Sequence, residues 1–144
     1  MKQKKQRFNE WKKPIIREGK LTKWNWVVAG VKNLKMGKFV DVGAFCYINA
    51  KDGVEIEDNV QIGGGVKIYS QDTIGGKSGK VILKNNCKIG ANSVILPNSI
   101  VGKNSIVGAF SLVKGQTIPD NEIWLGVPAK KIGEIKNSKR IYKN

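Results

Sequence analysis

An aliphatic side chain returns every sixth residue through much of the second half of this 144-residue chain. A small residue stands four positions after each aliphatic residue in the run. The aliphatic members are Leu83, Ile89, Ile95, Val101, Val107 and Val113, and the small ones are Cys87, Ser93, Ser99, Ser105, Ser111 and Thr117. Two earlier blocks, at residues 36–48 and 56–68, keep the same period. A helix repeats its apolar face near 3.6 residues and a strand near 2, so a sustained period of six fits neither.

A chain coiled into a three-sided prism does show this period. Each face would use one hexad, with the aliphatic residue pointing inward at mid-face and the small residue pointing inward near a corner. Glycine or asparagine would accept the turn conformation. Three hexads close one coil, and successive coils stack as parallel strands about 4.8 Å apart. The repeat therefore predicts an all-β, parallel β-helix of about four coils.

These repeats resemble those of the hexapeptide-repeat acyltransferases, and residues 126–132, GVPAKKI, are similar to that family's closing G-x-P-A-K-x-I motif. The resemblance covers residues 36–132. It implies a left-handed helix, acetyl-CoA as the acyl donor and a homotrimer with its sites between subunits. The chain then divides into a basic N-terminal segment and cap (1–33), the repeat region (34–132) and a basic C-terminal tail (133–144). Trp24 and Trp26 are expected to belong to the N-terminal cap.

The repeat is interrupted twice, and a solenoid is expected to carry its function where it departs from regularity. A step of eight residues between Ile48 and Ile56 places residues 49–53 in an enlarged corner. The stretch 69–80 cannot stay on the prism and is predicted to protrude as a glycine-rich loop. In many family members a loop at this place begins with Ser/Thr-His-Asp, whose histidine is the general base.

Here the loop reads Ser70-Gln71-Asp72, and the whole chain contains no histidine. This excludes a Ser-His-Asp hydrolase, a histidine-ligated metal site and the carbonic anhydrase branch of the same fold. Three explanations for the missing base stay open. They are a base other than histidine, an acceptor that needs little help, and a protein that has lost activity.

The missing base favours an amine acceptor. A sugar hydroxyl must lose its proton in the transition state, whereas an amine with a pKa of about 8 is already roughly one tenth neutral at pH 7. We therefore predict transfer of an acetyl group from acetyl-CoA to a nucleotide-linked amino sugar for surface glycan biosynthesis. A sugar O-acetyltransferase is the alternative. Asp72 and Gln71 are the catalytic candidates, and Asn49, Ser70 and Lys77 are the substrate-binding candidates, although Asp72 equally suits a turn.

The resemblance places coenzyme A in a groove between subunits. The residues expected to line its pantetheine arm are Gly90, Ala91, Gly108 and Ala109, and those expected to bind its phosphates are Lys114, Lys130 and Lys131. Each glycine also suits a corner of the fold, and the two roles are compatible.

The formal charge of +15 indicates an anionic partner such as a nucleotide, coenzyme A or nucleic acid. Most of the excess lies at the two ends of the chain. A nucleic-acid-binding protein and a non-catalytic β-helical scaffold are the alternatives of another class, but the sequence contains no recognised nucleic-acid-binding fold. Cys46 and Cys87 form no C-x-x-C pair, so no metal is expected. No apolar run approaches the roughly 18 residues of a membrane span, and a cytoplasmic protein without a membrane partner is expected.

Overall fold

The computed structural model describes residues 8–136 and the backbone of residues 139–142. Parts of the predicted basic ends, at residues 1–7, 137–138 and 143–144, lie outside the described residues. The described chain is all β apart from one short 3₁₀ turn at Val31–Asn33. Among these residues, no helix is long and apolar enough to cross a membrane.

Fifteen strands form five coils of three strands each. The first coil contains β1 (Val27–Ala29), β2 (Leu34–Met36) and β3 (Asp41–Val42), and the second contains β4 (Tyr47–Asn49), β5 (Val54–Ile56) and β6 (Gln61–Ile62). In the third coil, β7 (Lys67–Tyr69) is followed by an inserted hairpin of β8 (Gln71–Asp72) and β9 (Lys77–Ser78), then by β10 (Val81–Leu83) and β11 (Lys88–Ile89). The fourth contains β12 (Val94–Ile95), β13 (Ile100–Val101) and β14 (Ile106–Val107), and the fifth β15 (Leu112–Val113), β16 (Thr117–Ile118) and β17 (Glu122–Gly126).

Equivalent strands of the five coils stack into three parallel sheets. Sheet 1 has the order β1-β4-β7-β12-β15 and sheet 2 the order β2-β5-β10-β13-β16. Sheet 3 stacks β3-β6-β11-β14-β17 in the same way, and then continues with antiparallel β18 (Ala129–Lys136) and β19 (Lys139–Tyr142). The predicted all-β, parallel β-helix with a protruding loop is confirmed.

The helix has five coils rather than the predicted four. Its first coil begins at Val27, within the segment that the sequence assigned to the N-terminal cap, because β1 pairs in parallel with β4. Trp26, at the entry to β1, is only 2% exposed and belongs to the core. The coil was missed because only one of its hexads, at Val28, lies before the eight-residue step to Met36, and a single hexad shows no period.

The interior is a column of the predicted aliphatic residues. Leu83, Ile95, Val101, Val107 and Val113 are fully buried, and Ile89 is 2% exposed. The small residues fill the inner corners, and three buried serines tie successive coils together. The Ser93 hydroxyl donates to the carbonyl of Gly108 at 3.0 Å, that of Ser99 to the carbonyl of Val113 at 3.2 Å, and that of Ser105 to the carbonyl of Pro119 at 2.5 Å.

One small residue departs from this scheme. Thr117 was expected to point inward, but it is exposed while the next residue, Ile118, is fully buried. Ile106 pairs with Ile123, so the last coil is one residue shorter than three hexads. The missing residue comes from the corner before β16, so the inward aliphatic position falls on Ile118, one residue earlier than the hexad predicts. Thr117 pairs with Ile100, the residue before buried Val101.

The corner between sheets 2 and 3, which we call the asparagine corner, shows how the chain turns. A residue with φ near +60° stands at this corner in every coil: Phe39, Asn59, Asn86, Asn104 and Asn121. Asparagine adopts this left-handed conformation more easily than most residues do. The side chains also form a ladder, because Asn86 Nδ2 donates to Asn104 Oδ1 at 2.6 Å and Asn104 Nδ2 donates to Asn121 Oδ1 at 3.0 Å.

Both ends of the column are covered by chain from outside the coils. At the base, Trp11 Nε1 donates to the carbonyl of Val40 at 2.9 Å, and both carboxylate oxygens of Glu18 accept from the Gly30 amide at 2.9 Å. These hydrogen bonds, with one from the Val31 amide, hold the pKa of Glu18 below its usual range. At the top, the turn after β17 crosses the column so that Ala129 is fully buried.

The asparagine corner yields a stability test at Asn104. Asn104→Ala should lower the free energy of unfolding by about 1–2 kcal/mol, because alanine tolerates the left-handed conformation poorly. Asn104→Gly should lower it by less, since glycine adopts that conformation freely. Chemical denaturation of both variants provides the comparison. Equal losses would show that the side-chain ladder, not the backbone conformation, is what stabilises the corner.

Candidate functional site

The predicted acceptor-site residues come together at the corner between sheets 1 and 2, which we call the loop corner. Asn49 ends β4 and pairs in register with Tyr69 of β7, so Ser70 lies one coil above the enlarged corner at residues 49–53. The inserted hairpin starts at once, and β8 pairs with β9 so that Asp72 faces Lys77. Asn49, Ser70, Gln71, Asp72 and Lys77 therefore share one edge of the prism, as the spacing of the interruptions suggested.

Ser70 and Asn49 form a network that holds the enlarged corner. Ser70 is fully buried, and its hydroxyl donates to Asn49 Oδ1 at 3.4 Å and accepts from the amide of Asp52 at 2.9 Å. Asn49 Oδ1 also accepts from the amide of Lys51 at 3.1 Å. The geometry gives both side chains a structural task. Ser70 can hold this corner in place, but its side chain is buried and is not exposed to a substrate.

Asp72 caps the turn of the hairpin. Its Oδ1 atom accepts hydrogen bonds from the amides of Ile74 at 3.1 Å and Gly75 at 3.0 Å. This is the turn role that aspartate commonly takes. The same contacts hold the carboxylate at a defined place in the hairpin, half-buried beside half-buried Gln71.

A group of charged residues below the hairpin was missed by the sequence reasoning. Lys32, Lys35, Lys51 and Lys80 line a cleft of about 380 Å³ together with Asp52 and Glu55. Lys80 Nζ lies 2.9 Å from Glu55 Oε1 and Lys35 Nζ lies 3.6 Å from it. Lys80 therefore holds the pKa of Glu55 below its usual value. Four cations against two carboxylates leave this cleft suited to an anionic group. The lysines meet because the first two coils are each longer than three hexads.

The four small residues expected to bind coenzyme A lie at the corner between sheets 3 and 1, which we call the glycine corner. They stack on two neighbouring coils, since the amide of Gly90 donates to the carbonyl of Val107 at 2.7 Å and the amide of Phe110 donates to that of Ala91 at 3.0 Å. A Cβ atom on Gly90 would lie 2.7 Å from Ala109 Cα. Glycine is therefore required here by coil stacking, whatever else the corner binds.

The three lysines expected at the phosphates of coenzyme A are not equivalent. Lys114 follows β15, at the edge of sheet 1 opposite the glycine corner, while Lys130 and Lys131 lie on β18. Lys131 Nζ is 2.7 Å from Glu134 and 3.1 Å from Glu122, and these two carboxylates raise its pKa. Lys131 is thus already engaged in ion pairs. Lys114 and Lys130 are exposed.

Part of the repeat region matches a known protein family. Residues 80–115 match the family model described as "Bacterial transferase hexapeptide (six repeats)". No curated protein sequence matches this chain. Solved structures do match it. One is a variant of AntD, an N-acyltransferase from Bacillus cereus in complex with dTDP and coenzyme A, at 30% identity over 77% of this chain and 68% of AntD, with a TM-score of 0.69.

The chain belongs to the hexapeptide-repeat transferase family. Another AntD variant, in complex with dTDP-4-amino-4,6-dideoxyglucose and coenzyme A, is 31% identical over 78% of this chain and 71% of AntD, with a TM-score of 0.54. The family assignment predicted from the sequence is therefore confirmed.

Two further members share the fold. A maltose O-acetyltransferase from Clostridium difficile 630 is 27% identical over 78% of this chain and 65% of its own, with a TM-score of 0.71. A hexapeptide-repeat acetyltransferase from Vibrio cholerae, in complex with acetyl coenzyme A, is 21% identical over 78% of this chain and 66% of its own, with a TM-score of 0.71. This transferase spans about two thirds of the length of these relatives.

The glycine corner can be tested by a pair of matched substitutions. Gly90→Ala should lower the free energy of unfolding by about 1–3 kcal/mol, since the new methyl group meets backbone that cannot move without shifting a coil. Gly108→Ala should have a smaller effect because its methyl group meets the side chain of Leu125, which is 43% exposed and can move. Denaturation curves measure both. Equal destabilisation would refute this account of coil stacking.

Proposed function

We propose that this transferase moves an acyl group, acetyl in the simplest case, from acyl-coenzyme A to the amine of a nucleotide-linked amino sugar. The likeness to AntD carries this proposal, because those structures hold coenzyme A together with dTDP or a dTDP-linked amino sugar. The product would serve surface glycan biosynthesis, and a cytoplasmic location forms part of the proposal. The alternative is transfer to a sugar hydroxyl, which the likeness to the maltose O-acetyltransferase keeps open.

The absence of histidine supports the amine over the hydroxyl. In the reaction the acceptor nitrogen bonds to the acyl carbon, the carbon–sulfur bond of the thioester breaks, and one proton must leave the nitrogen. A neutral amine begins this step without a base, whereas a hydroxyl needs its proton removed as it attacks. The chain can then contribute mainly by binding and orienting the two substrates.

The loop corner is the proposed acceptor site. Asp72, held in the hairpin by the amides of Ile74 and Gly75, would receive the amine proton or hold the ammonium, with Gln71 and Asn49 as candidate partners of the sugar. Lys77 on the hairpin and the lysines of the cleft below it suit the diphosphate of a nucleotide sugar, because ammonium groups bind phosphate oxygens. Among them, Lys80 is already paired with Glu55.

The glycine corner is the proposed donor site, with Gly90, Ala91, Gly108 and Ala109 beside the pantetheine arm. Lys130 is exposed and better placed to bind phosphate than Lys131, which is held by Glu122 and Glu134. Lys114 is also exposed, but it follows β15 on the loop-corner side of sheet 1, so within one copy it lies away from the glycine corner. The glycine corner and the loop corner are two different edges of one prism. A homotrimer would let the donor edge of one copy meet the acceptor edge of the next, and we propose this assembly.

A non-catalytic scaffold or a nucleic-acid-binding protein remains the alternative of another class. Both predict that the protein acts without an acyl donor. Protection against thermal unfolding by acetyl-CoA would favour the transferase, since a ligand stabilises the folded state that binds it. Transfer activity in a panel of nucleotide-linked amino sugars and sugar alcohols, followed by mass spectrometry, separates N- from O-acylation.

If the acceptor is an amine, kcat/KM should rise with pH along the pKa of the substrate amine. No inflection near 6.5 is expected, because the chain has no histidine. The measurement is a pH–rate profile with two acceptors whose amines differ in pKa. A profile that stays the same for both acceptors would contradict the proposal.

Two substitutions separate the turn role of Asp72 from a role in proton transfer. Asp72→Asn can keep the Oδ1 acceptor for the amides of Ile74 and Gly75 while removing the charge, whereas Asp72→Ala removes both. If the carboxylate takes the proton, Asn should lower kcat by about ten to a thousandfold. Full activity in Asp72→Asn with low activity in Asp72→Ala would show that Asp72 stabilises the turn and does not take the proton.

The homotrimer predicts a solution mass of three times the 15.9 kDa chain mass. Light scattering coupled to size exclusion measures this directly. If the site is built from two copies, activity should fall with dilution as the trimer dissociates. A fully active monomer at micromolar concentration would remove the shared site from the proposal.

A further inference from the structure

The base of the column carries a surface that the proposed acyl transfer does not use. Residues 8–24 cross the first coil and are anchored at several points. Besides the Trp11 and Glu18 contacts, the Gly19 amide donates to the carbonyl of Val28 at 2.9 Å, and the Thr22 amide donates to that of Trp26 at 2.8 Å. The segment is therefore a fixed part of the fold, and the side chains that it exposes are held in defined positions.

Three large apolar side chains of this segment face water. Ile15 is 76% exposed, Leu21 is 68% exposed and Trp24 is 50% exposed. Other apolar residues close to them in the sequence are not exposed in this way, since Ile16 packs against the core and Trp26 is buried. Exposed aliphatic and indole groups that cluster in one place indicate a surface that is covered by something else.

The same three side chains lie among basic residues, although Trp24 also lines a second depression that contains Glu10 and Asp41. They line one depression of about 600 Å³ together with Lys12, Lys13, Arg17, Lys20 and Lys23, and no carboxylate is among the described residues of its wall. Lys23 Nζ lies 5.6 Å from the centroid of the Trp24 ring. Glu18, an acid of the same segment, is held by the amides of Gly30 and Val31. In the sequence, residues 8–24 are preceded by four more basic residues, Lys2, Lys4, Lys5 and Arg7.

We propose that residues 12–24 form a docking surface for a bilayer of anionic phospholipids. Lysine and arginine are attracted to the anionic headgroups, tryptophan favours the headgroup level, and aliphatic side chains enter the edge of the acyl region. Nucleic acid would satisfy the cations and could stack on Trp24, but it offers Ile15 and Leu21 no apolar environment. The combination therefore favours the lipid surface. It also revises the expectation, drawn from the lack of a membrane span, that the protein has no membrane partner.

The test uses the full chain and sedimentation with lipid vesicles. Binding is expected to vesicles that contain about one third phosphatidylglycerol in phosphatidylcholine, to weaken with salt, and to be at least about tenfold weaker with phosphatidylcholine alone. Brominated lipid should quench the fluorescence of Trp24, and Trp24→Phe should remove that part of the quenching. Absence of binding to the anionic vesicles would overturn the proposal.

Matched variants separate insertion from simple charge attraction. Ile15→Ser with Leu21→Ser should weaken vesicle binding by about tenfold or more, whereas Ile74→Ser, at a side chain 97% exposed on the hairpin, should not. Lys20→Gln with Lys23→Gln should also weaken it about tenfold, while Lys84→Gln with Lys103→Gln removes the same charge elsewhere and should change it little. Binding that ignores the serine substitutions, or tighter binding to duplex DNA than to vesicles, would overturn the lipid assignment.

Discussion

Each coil of this protein is held to the next by parallel strands that are mostly two or three residues long. Strands this short contribute few hydrogen bonds each, so the fold depends on every coil repeating the path of the coil below at a spacing of about 4.8 Å. The requirement is most severe at the corners. There the chain needs left-handed backbone, as at Asn86, Asn104 and Asn121, or a residue with no side chain, as at Gly90, whose neighbouring coil leaves no room for a methyl group.

The same requirement explains which parts of the structure were predictable. A strict period of six places one residue at the same point of every face, so the buried aliphatic residues from Leu83 to Val113 could be assigned directly. The first coil could not, because a single hexad precedes its eight-residue step and shows no period, which makes Val27–Ala29 look like an ordinary strand. Thr117 was misassigned for the opposite reason, since its corner is one residue short.

The site divides along similar lines. The interruptions of the repeat indicated which corner would carry the hairpin, since residues that cannot stay on the prism must leave it. Contacts between residues that are far apart in the sequence could not be predicted from the repeat. The lysine cleft exists because the first three coils all carry extra residues at the corner between sheets 1 and 2, which brings Lys32, Lys51 and Lys80 together. The ion pairs of Lys131 depend on the register of the antiparallel strands β17 and β18. Only the fold specifies either arrangement.

The covering of both ends has a consequence for the behaviour of many copies together. A bare end of a parallel solenoid presents unpaired strand edges onto which another molecule could add its own coils, and repeated addition would produce a filament. Here residues 8–24 lie across the lower end, and the turn before β18 brings Ala129 over the upper one, where Gln116 Nε2 donates to the Ala129 carbonyl at 3.0 Å. Chain from outside the coils thus occupies part of each end of the column, and it stands in the way of end-to-end growth.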